Sequence, residues 1–185
     1  MHSFIWQVRE LREYQIPFIG LKNEVNHFNY EIDKKFFSHF DDSLVQDCRI
    51  FVDLSLDKKD RLFILNFDIS GTMRSECDRC GEDFDLALHG NHTIYVKLGD
   101  LREEDENNEE VVWIPDSEAF IDVKEMIYEF VHLSIPIKKT HPDRPDGTTE
   151  CDPEILKYII TPDTGQEAEI QPDPRWDILN KLNKN

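Results

Sequence analysis

The segment CDRC at residues 77–80 places two thiols three positions apart, a spacing that lets both converge on one tetrahedral ion across a tight turn. The same spacing also serves redox chemistry, but that use needs the pair at a helix N-terminus in a thioredoxin-like βαβ unit. Strand-like residues flank CDRC on both sides, so zinc is the favoured chemistry, with redox and incidental spacing as alternatives. A zinc site needs two further ligands. Cys151 is the best third, because it lies in a polar loop just before a helix cap. His141 is the best fourth: it shares that loop, is held by Pro142, and the chain can reverse near Gly147. The competitors are Cys48, on the core parity of a strand, and His89 and His92, near a bend in another. With Cys77, Cys80, His141 and Cys151 all supplied by the chain, the site would be closed and structural, with no position for a catalytic water.

Three thiolates with Zn²⁺ and a neutral imidazole carry a formal charge of −1. Arg74, Arg79, Lys138, Lys139 and Arg144 lie nearby in sequence and can offset it. They form the only locally basic region legible in a chain of 21 Lys+Arg against 39 Asp+Glu, net −18. Those five residues are therefore the candidate RNA contact, or else simply the counter-charge of the thiolates. The overall charge argues against DNA, anionic lipid or RNA being gripped by the surface at large.

Signals for catalysis are lacking. The sequence has no GxGxxG, Walker A, HExxH or GxSxG motif, and Asp and Glu are too abundant for a carboxylate pair to carry information. The leading expectation is thus a chain that is not an enzyme. A zinc- or thiol-dependent enzyme and a protein-interaction adaptor without RNA contact stand as alternatives.

The elements that must position these residues follow from periodicity. Phe4, Trp6 and Val8 alternate as a first strand, and residues 24–32 read as another. Phe36, Phe37 and Phe40 form a short helical or turn-like cluster. Cys48, Ile50, Val52, Leu54 and Leu56 share one parity, as do Phe63, Leu65, Phe67 and Ile69 across a DKKD turn, which predicts an antiparallel hairpin. Thr72–Glu76 runs extended into Cys77, and Phe84 to Leu98 returns as one long, bent strand. Residues 99–110, GDLREEDENNEE, read as an exposed acidic loop that solubilises the chain, binds a basic partner or mimics RNA.

Val111–Ile114 is a further short strand. Phe120, Val123, Ile127, Phe130 and Val131 then recur at helical spacing, predicting a helix of roughly 14 residues capped near Ser117 and stopped before Pro136. Asp152-Pro153 and Asp173-Pro174 each start a short helix, with 161–172 as a flexible link. The expected fold is one α+β domain over 1–185: a meandering antiparallel sheet, able to close as a barrel, with one main helix and two short C-terminal helices. An N-terminus without an uninterrupted apolar stretch, and no span-length apolar run, lead us to expect a cytoplasmic protein without a membrane segment.

CDRC at 77–80 between extended segments, LSIPIKKTHPD at 133–143 with CDPEILKYI at 151–159, and DPRWDILNKL at 173–182 together resemble the YceD-like family. The form of the loop with His141 is similar to that of Bacteroidetes-type members. This resemblance implies a non-enzymatic ribosome-biogenesis factor that supports accumulation of large-subunit ribosomal RNA. Its implied partners are the assembling large subunit, its RNA or a basic ribosomal protein.

Overall fold

The computed structural model describes residues 11–41, 43, 45, 47–100, 108 and 110–159. The strand expected near Phe4, most of the acidic loop, the 161–172 link and the helix after Pro174 lie outside them. The chain divides into two compact units, Met1–Cys151 and Asp152–Asn185.

In the first unit, five strands form one sheet: β2 (Val25–Asp33), β3 (Cys48–Lys58), β4 (Leu62–Glu76), β5 (Asp83–Leu98) and β6 (Val111–Ile114), side by side in that order. Most alternate residues of β3, β4 and β5 are apolar, and register puts these residues opposite one another. Leu56 faces Leu65, Leu54 faces Phe67 and Val52 faces Ile69, all buried. The alternation therefore survives as one apolar face of the sheet.

A second, two-stranded sheet pairs β1 (Gln15–Pro17) with β7 (Phe120–Asp122) in antiparallel register. A 3₁₀ turn (Leu11–Tyr14) and three short α-helices complete the described elements: α1 (Lys34–Phe37), α2 (Lys124–Leu133) and, in the second unit, α3 (Pro153–Leu156). Helix α2 turns Ile127, Phe130 and Val131 into the core, where the Phe130 ring meets Phe67 at 5.0 Å. Its end lies on β5 at Gly90, where a Cβ would overlap the Ser134 hydroxyl. No described helix is long and apolar enough to cross a membrane.

The α+β class holds, but barrel closure does not. Closure requires the two outer strands to pair. Here β2 and β6 have one neighbour each, so the sheet is open. Nor is the sheet wholly antiparallel, because β6 runs parallel to β5 over Tyr95–Leu98. A parallel neighbour needs a crossover of about a dozen residues, and residues 99–110 supply it.

The main helix is also shorter than its periodicity suggests. Phe120 is not part of its stripe; it lies 48 % exposed on β7, while Ile121 beside it is buried against Ile16's strand. The first residues of the apparent helical pattern are taken by a ladder to β1, about a hundred positions away. Helix α2 instead starts after Val123, with the Asp122 carboxylate accepting the Lys124 N–H at 3.0 Å.

Candidate metal centre

Strand β4 ends at Glu76 and β5 begins at Asp83, so the CDRC segment is the turn of a β-hairpin. The Cys77 N–H donates to the Glu82 carbonyl at 2.9 Å, and the Gly81 N–H to the Cys77 carbonyl at 2.8 Å. Gly81 has φ 76°, in the left-handed region where glycine avoids the Cβ penalty. The turn thereby brings both thiols to the same side of the hairpin tip, and both are buried. No described helix starts at this pair, so the setting required for the thioredoxin-like reading is missing.

The other two candidate ligands come from the loop after α2. Asp143 and Thr149 form an antiparallel bridge, closed by Arg144 and Thr148 and reversed at Gly147, whose φ is 81°. Continuing that register two residues outward sets His141 opposite Cys151. Asp78 docks the loop on the hairpin tip. Its backbone N–H donates to the Lys139 carbonyl at 2.7 Å, and its carboxylate accepts the Lys139 N–H at 2.6 Å. The Phe84 ring packs on His141 at 4.6 Å.

The ligand atoms of Cys77, Cys80, His141 and Cys151 all lie within 4.8 Å of one another. Cys77 Sγ is 3.8 Å from Cys151 Sγ, and His141 Nδ1 is 3.5 Å from Cys80 Sγ and 3.6 Å from Cys151 Sγ. Four ligands held tetrahedrally on zinc, with Zn–S near 2.3 Å and Zn–N near 2.0 Å, stand about 3.8 Å apart sulfur to sulfur and about 3.5 Å apart sulfur to nitrogen. The donor set and its spacing therefore fit a tetrahedral Cys₃His ion.

Electrostatics favour the charged form of Cys77. Burial pushes the Cys77 thiol up, but hydrogen bonds from the backbone of Cys80, His141 and Arg79 and from the His141 side chain outweigh it, bringing it down to about 6. Arg79 Nη1 lies 3.9 Å from Cys151 Sγ and 3.9 Å from the Asp143 carboxylate, so it balances thiolate charge while tied to the loop.

Cys48 is elsewhere, its Sγ 3.8 Å from the Ile32 carbonyl, and burial together with Asp33 and Asp47 pushes its thiol up to about 11. His92 contacts the Ser134 hydroxyl at 3.3 Å, and His89 is exposed on β5. Neither belongs to the cluster. Arg74 is exposed on β4 and paired with Asp85 at 3.3 Å; Arg144 is paired with Glu150 at 3.9 Å. Lys138 and Lys139 make no ion pair among the described residues.

With this geometry in hand, comparison with known proteins is decisive. The family model of the large ribosomal RNA subunit accumulation protein YceD matches residues 65–183. The chain belongs to the YceD family. No curated protein and no solved structure matches it. The match begins in β4 and takes in the hairpin tip and its docked loop, so all four clustered residues fall within the YceD region.

Asp78, Phe84 and Asp143 were not singled out from the sequence. Asp78 lies between the two cysteines, which was a usable signal. Nothing local marks Phe84 or the Asp143 carboxylate, whose side-chain partners His141 and Arg79 are distant in the chain.

Proposed function

We propose that this chain is a non-enzymatic, cytoplasmic ribosome-biogenesis factor that supports accumulation of large-subunit ribosomal RNA by binding the assembling subunit, through its RNA or a basic ribosomal protein. The observation that carries the reading is the Cys77–Cys80–His141–Cys151 cluster, spaced for a tetrahedral ion within a YceD-family chain. Zinc is the ion the three sulfurs and one imidazole suit best, and it supplies a structural cross-link here. With all four positions filled by protein, the site would leave no open coordination position for substrate or water. The work of the site is to fix a loop on a hairpin tip.

That loop presents Lys138, Lys139 and Arg144, and the hairpin presents Arg74 and Arg79. Within an acidic chain these are the residues proposed to meet RNA or protein. Arg79 serves the thiolates first, which leaves Lys138 and Lys139 as the cations most available to a partner.

Co-sedimentation with large-subunit precursors across a salt series tests the reading. Replacing Lys138, Lys139 and Arg144 together with Gln should weaken the association while leaving metal content unchanged. An unaltered profile rejects the tip as the contact. Loss of wild-type association between about 50 and 200 mM salt indicates phosphate contacts; if it persists, loss on ribonuclease treatment indicates stacked RNA and survival indicates protein contacts.

A further inference from the structure

The face of the large sheet that points away from α2 is polar over most of its area. Asn29, Asp53, Asp68 and Asn91, for instance, lie in register across four strands. At the far corner from the hairpin tip its character changes. Ile94 and Val96 of β5 fill the core, so Tyr95 and Lys97 between and beyond them point to the other face. Tyr95 pairs with Ile64 and Val111, and Lys97 with Leu62 and Trp113. All of these are half-buried. Two aromatic rings on adjacent strands, on aliphatic neighbours, thus reach the water side of the sheet here, as the single ring of Phe51 does farther along β3.

Cations and carboxylates alternate around this corner, with Lys59 paired to Asp57 and Arg61 to Asp116. Lys97 Nζ stands 5.3 Å from the centre of the Trp113 ring. Arg61 and Lys59 arrive from the β3–β4 turn, and with Leu62, Leu98 and Trp113 they line a cleft of ≈ 420 Å³. The groups are held in place. Arg61 Nη2 donates to the Leu98 carbonyl at 2.9 Å and to the Asp116 carboxylate at 2.6 Å. Gly99, at φ 127°, lets the end of β5 pass close beneath both: a Cβ there would lie 3.4 Å from Arg61 Nη2 and 3.5 Å from the Trp113 ring.

We propose that this corner is a binding platform for single-stranded RNA, with unpaired bases stacked on Trp113 and Tyr95 and phosphates met by Lys97, Arg61 and Lys59. It extends the RNA half of the function proposed above and rests on that reading. Bases have flat π-faces that such rings accept whatever the sequence, and a cation rim follows the backbone. A duplex offers no free base face to stack, so the ligand is a single strand. Asp57, Asp60 and Asp116 compete with phosphate at the rim. Stacking therefore carries more of the affinity than charge does, and the salt dependence is shallow.

The test is fluorescence anisotropy of a labelled twelve-nucleotide oligouridylate with the full chain. Trp113→Ala and Tyr95→Ala should each weaken binding about tenfold, the size of one lost base stack. Trp113→Phe, which keeps a ring, should stay within about threefold of wild type. Equal binding by wild type and Trp113→Ala overturns the platform. If the Lys138/Lys139/Arg144 variant then loses binding, the RNA role stands and only its location moves. If wild type binds no oligouridylate yet co-sediments with subunit precursors, the platform falls and the partner is protein. A wild-type dimer that Trp113→Ala converts to monomer also overturns it, since the corner is then a contact between copies of this chain.

Discussion

Asp78 shows how much of the centre depends on a residue that offers no ligand atom to it. Two hydrogen bonds between Asp78 and Lys139 fasten the loop bearing His141 and Cys151 to the turn bearing Cys77 and Cys80. Without them the four donors survive, but the hairpin and loop are no longer tied next to the ion. Groups that orient a metal's ligands typically account for ten- to hundredfold in affinity. Asp78→Ala, which removes the carboxylate bond and keeps the backbone one, should bind the same one equivalent of zinc yet pass it to a chromophoric chelator about tenfold faster than wild type. Equal transfer rates would mean that the ligands and the backbone bond hold the loop without the carboxylate. Gly71 is a second position where one atom matters. A Cβ there would overlap the Arg49 carbonyl oxygen and press on the Ile50 Cα, both on the backbone of β3. Gly71→Ala should cost about 3 kcal/mol, seen as a lower urea midpoint with an unchanged slope.

Among the elements, the seat of α2 on β5 contains a group that titrates. The His92 ring stacks on Phe130 at 4.6 Å and contacts Ser134 at the helix end. Burial lowers its pKa, since the charged imidazolium is disfavoured there. The unfolded chain takes up a proton near pH 6.5 that the folded chain resists. Stability is therefore unaffected above that pH and falls as the pH drops through the interval down to the folded value. His92→Gln should show a smaller fall in urea midpoint between pH 7.5 and 5.5 than wild type; parallel falls would show that His92 does not titrate against burial.

This scale also separates what was legible from what was not. The parity of Ile50–Leu56 and Phe63–Ile69 is local, so β3, β4 and their pairing could be read directly. Phe120–Asp122 could not, because three residues of alternation look like the start of a helix until Gln15–Pro17 arrives as a partner. The parallel placement of β6 and the open edges are likewise properties of assembly, not of any window of sequence. At the site, the CxxC spacing and the polar loop before Cys151 marked the four candidate ligands. Lys59 and Arg61 are neighbours in the DKKDRL turn, where the aspartates offset their charge along the sequence, and strand order alone adds Lys97 to them at the corner opposite the basic tip.

For the whole molecule, a net charge of −18 opposes compaction and disfavours RNA over the surface at large. The contacts proposed above must then be local and well positioned, which is what a clasped tip provides. The clasp joins the β4–β5 hairpin to a loop some 60 positions later, and so closes a long loop in the unfolded chain. Chelation should lower the melting temperature by about 10 °C, with zinc restoring it and magnesium not. The most direct measurement combines metal analysis with thiol titration of the full chain before and after chelation. We expect one zinc per chain and three thiols, those of Cys77, Cys80 and Cys151, that become reactive only when the zinc is removed, while Cys48 reacts alike in both states. A chain without stoichiometric zinc, or one in which zinc shields only Cys77 and Cys80, would contradict the account.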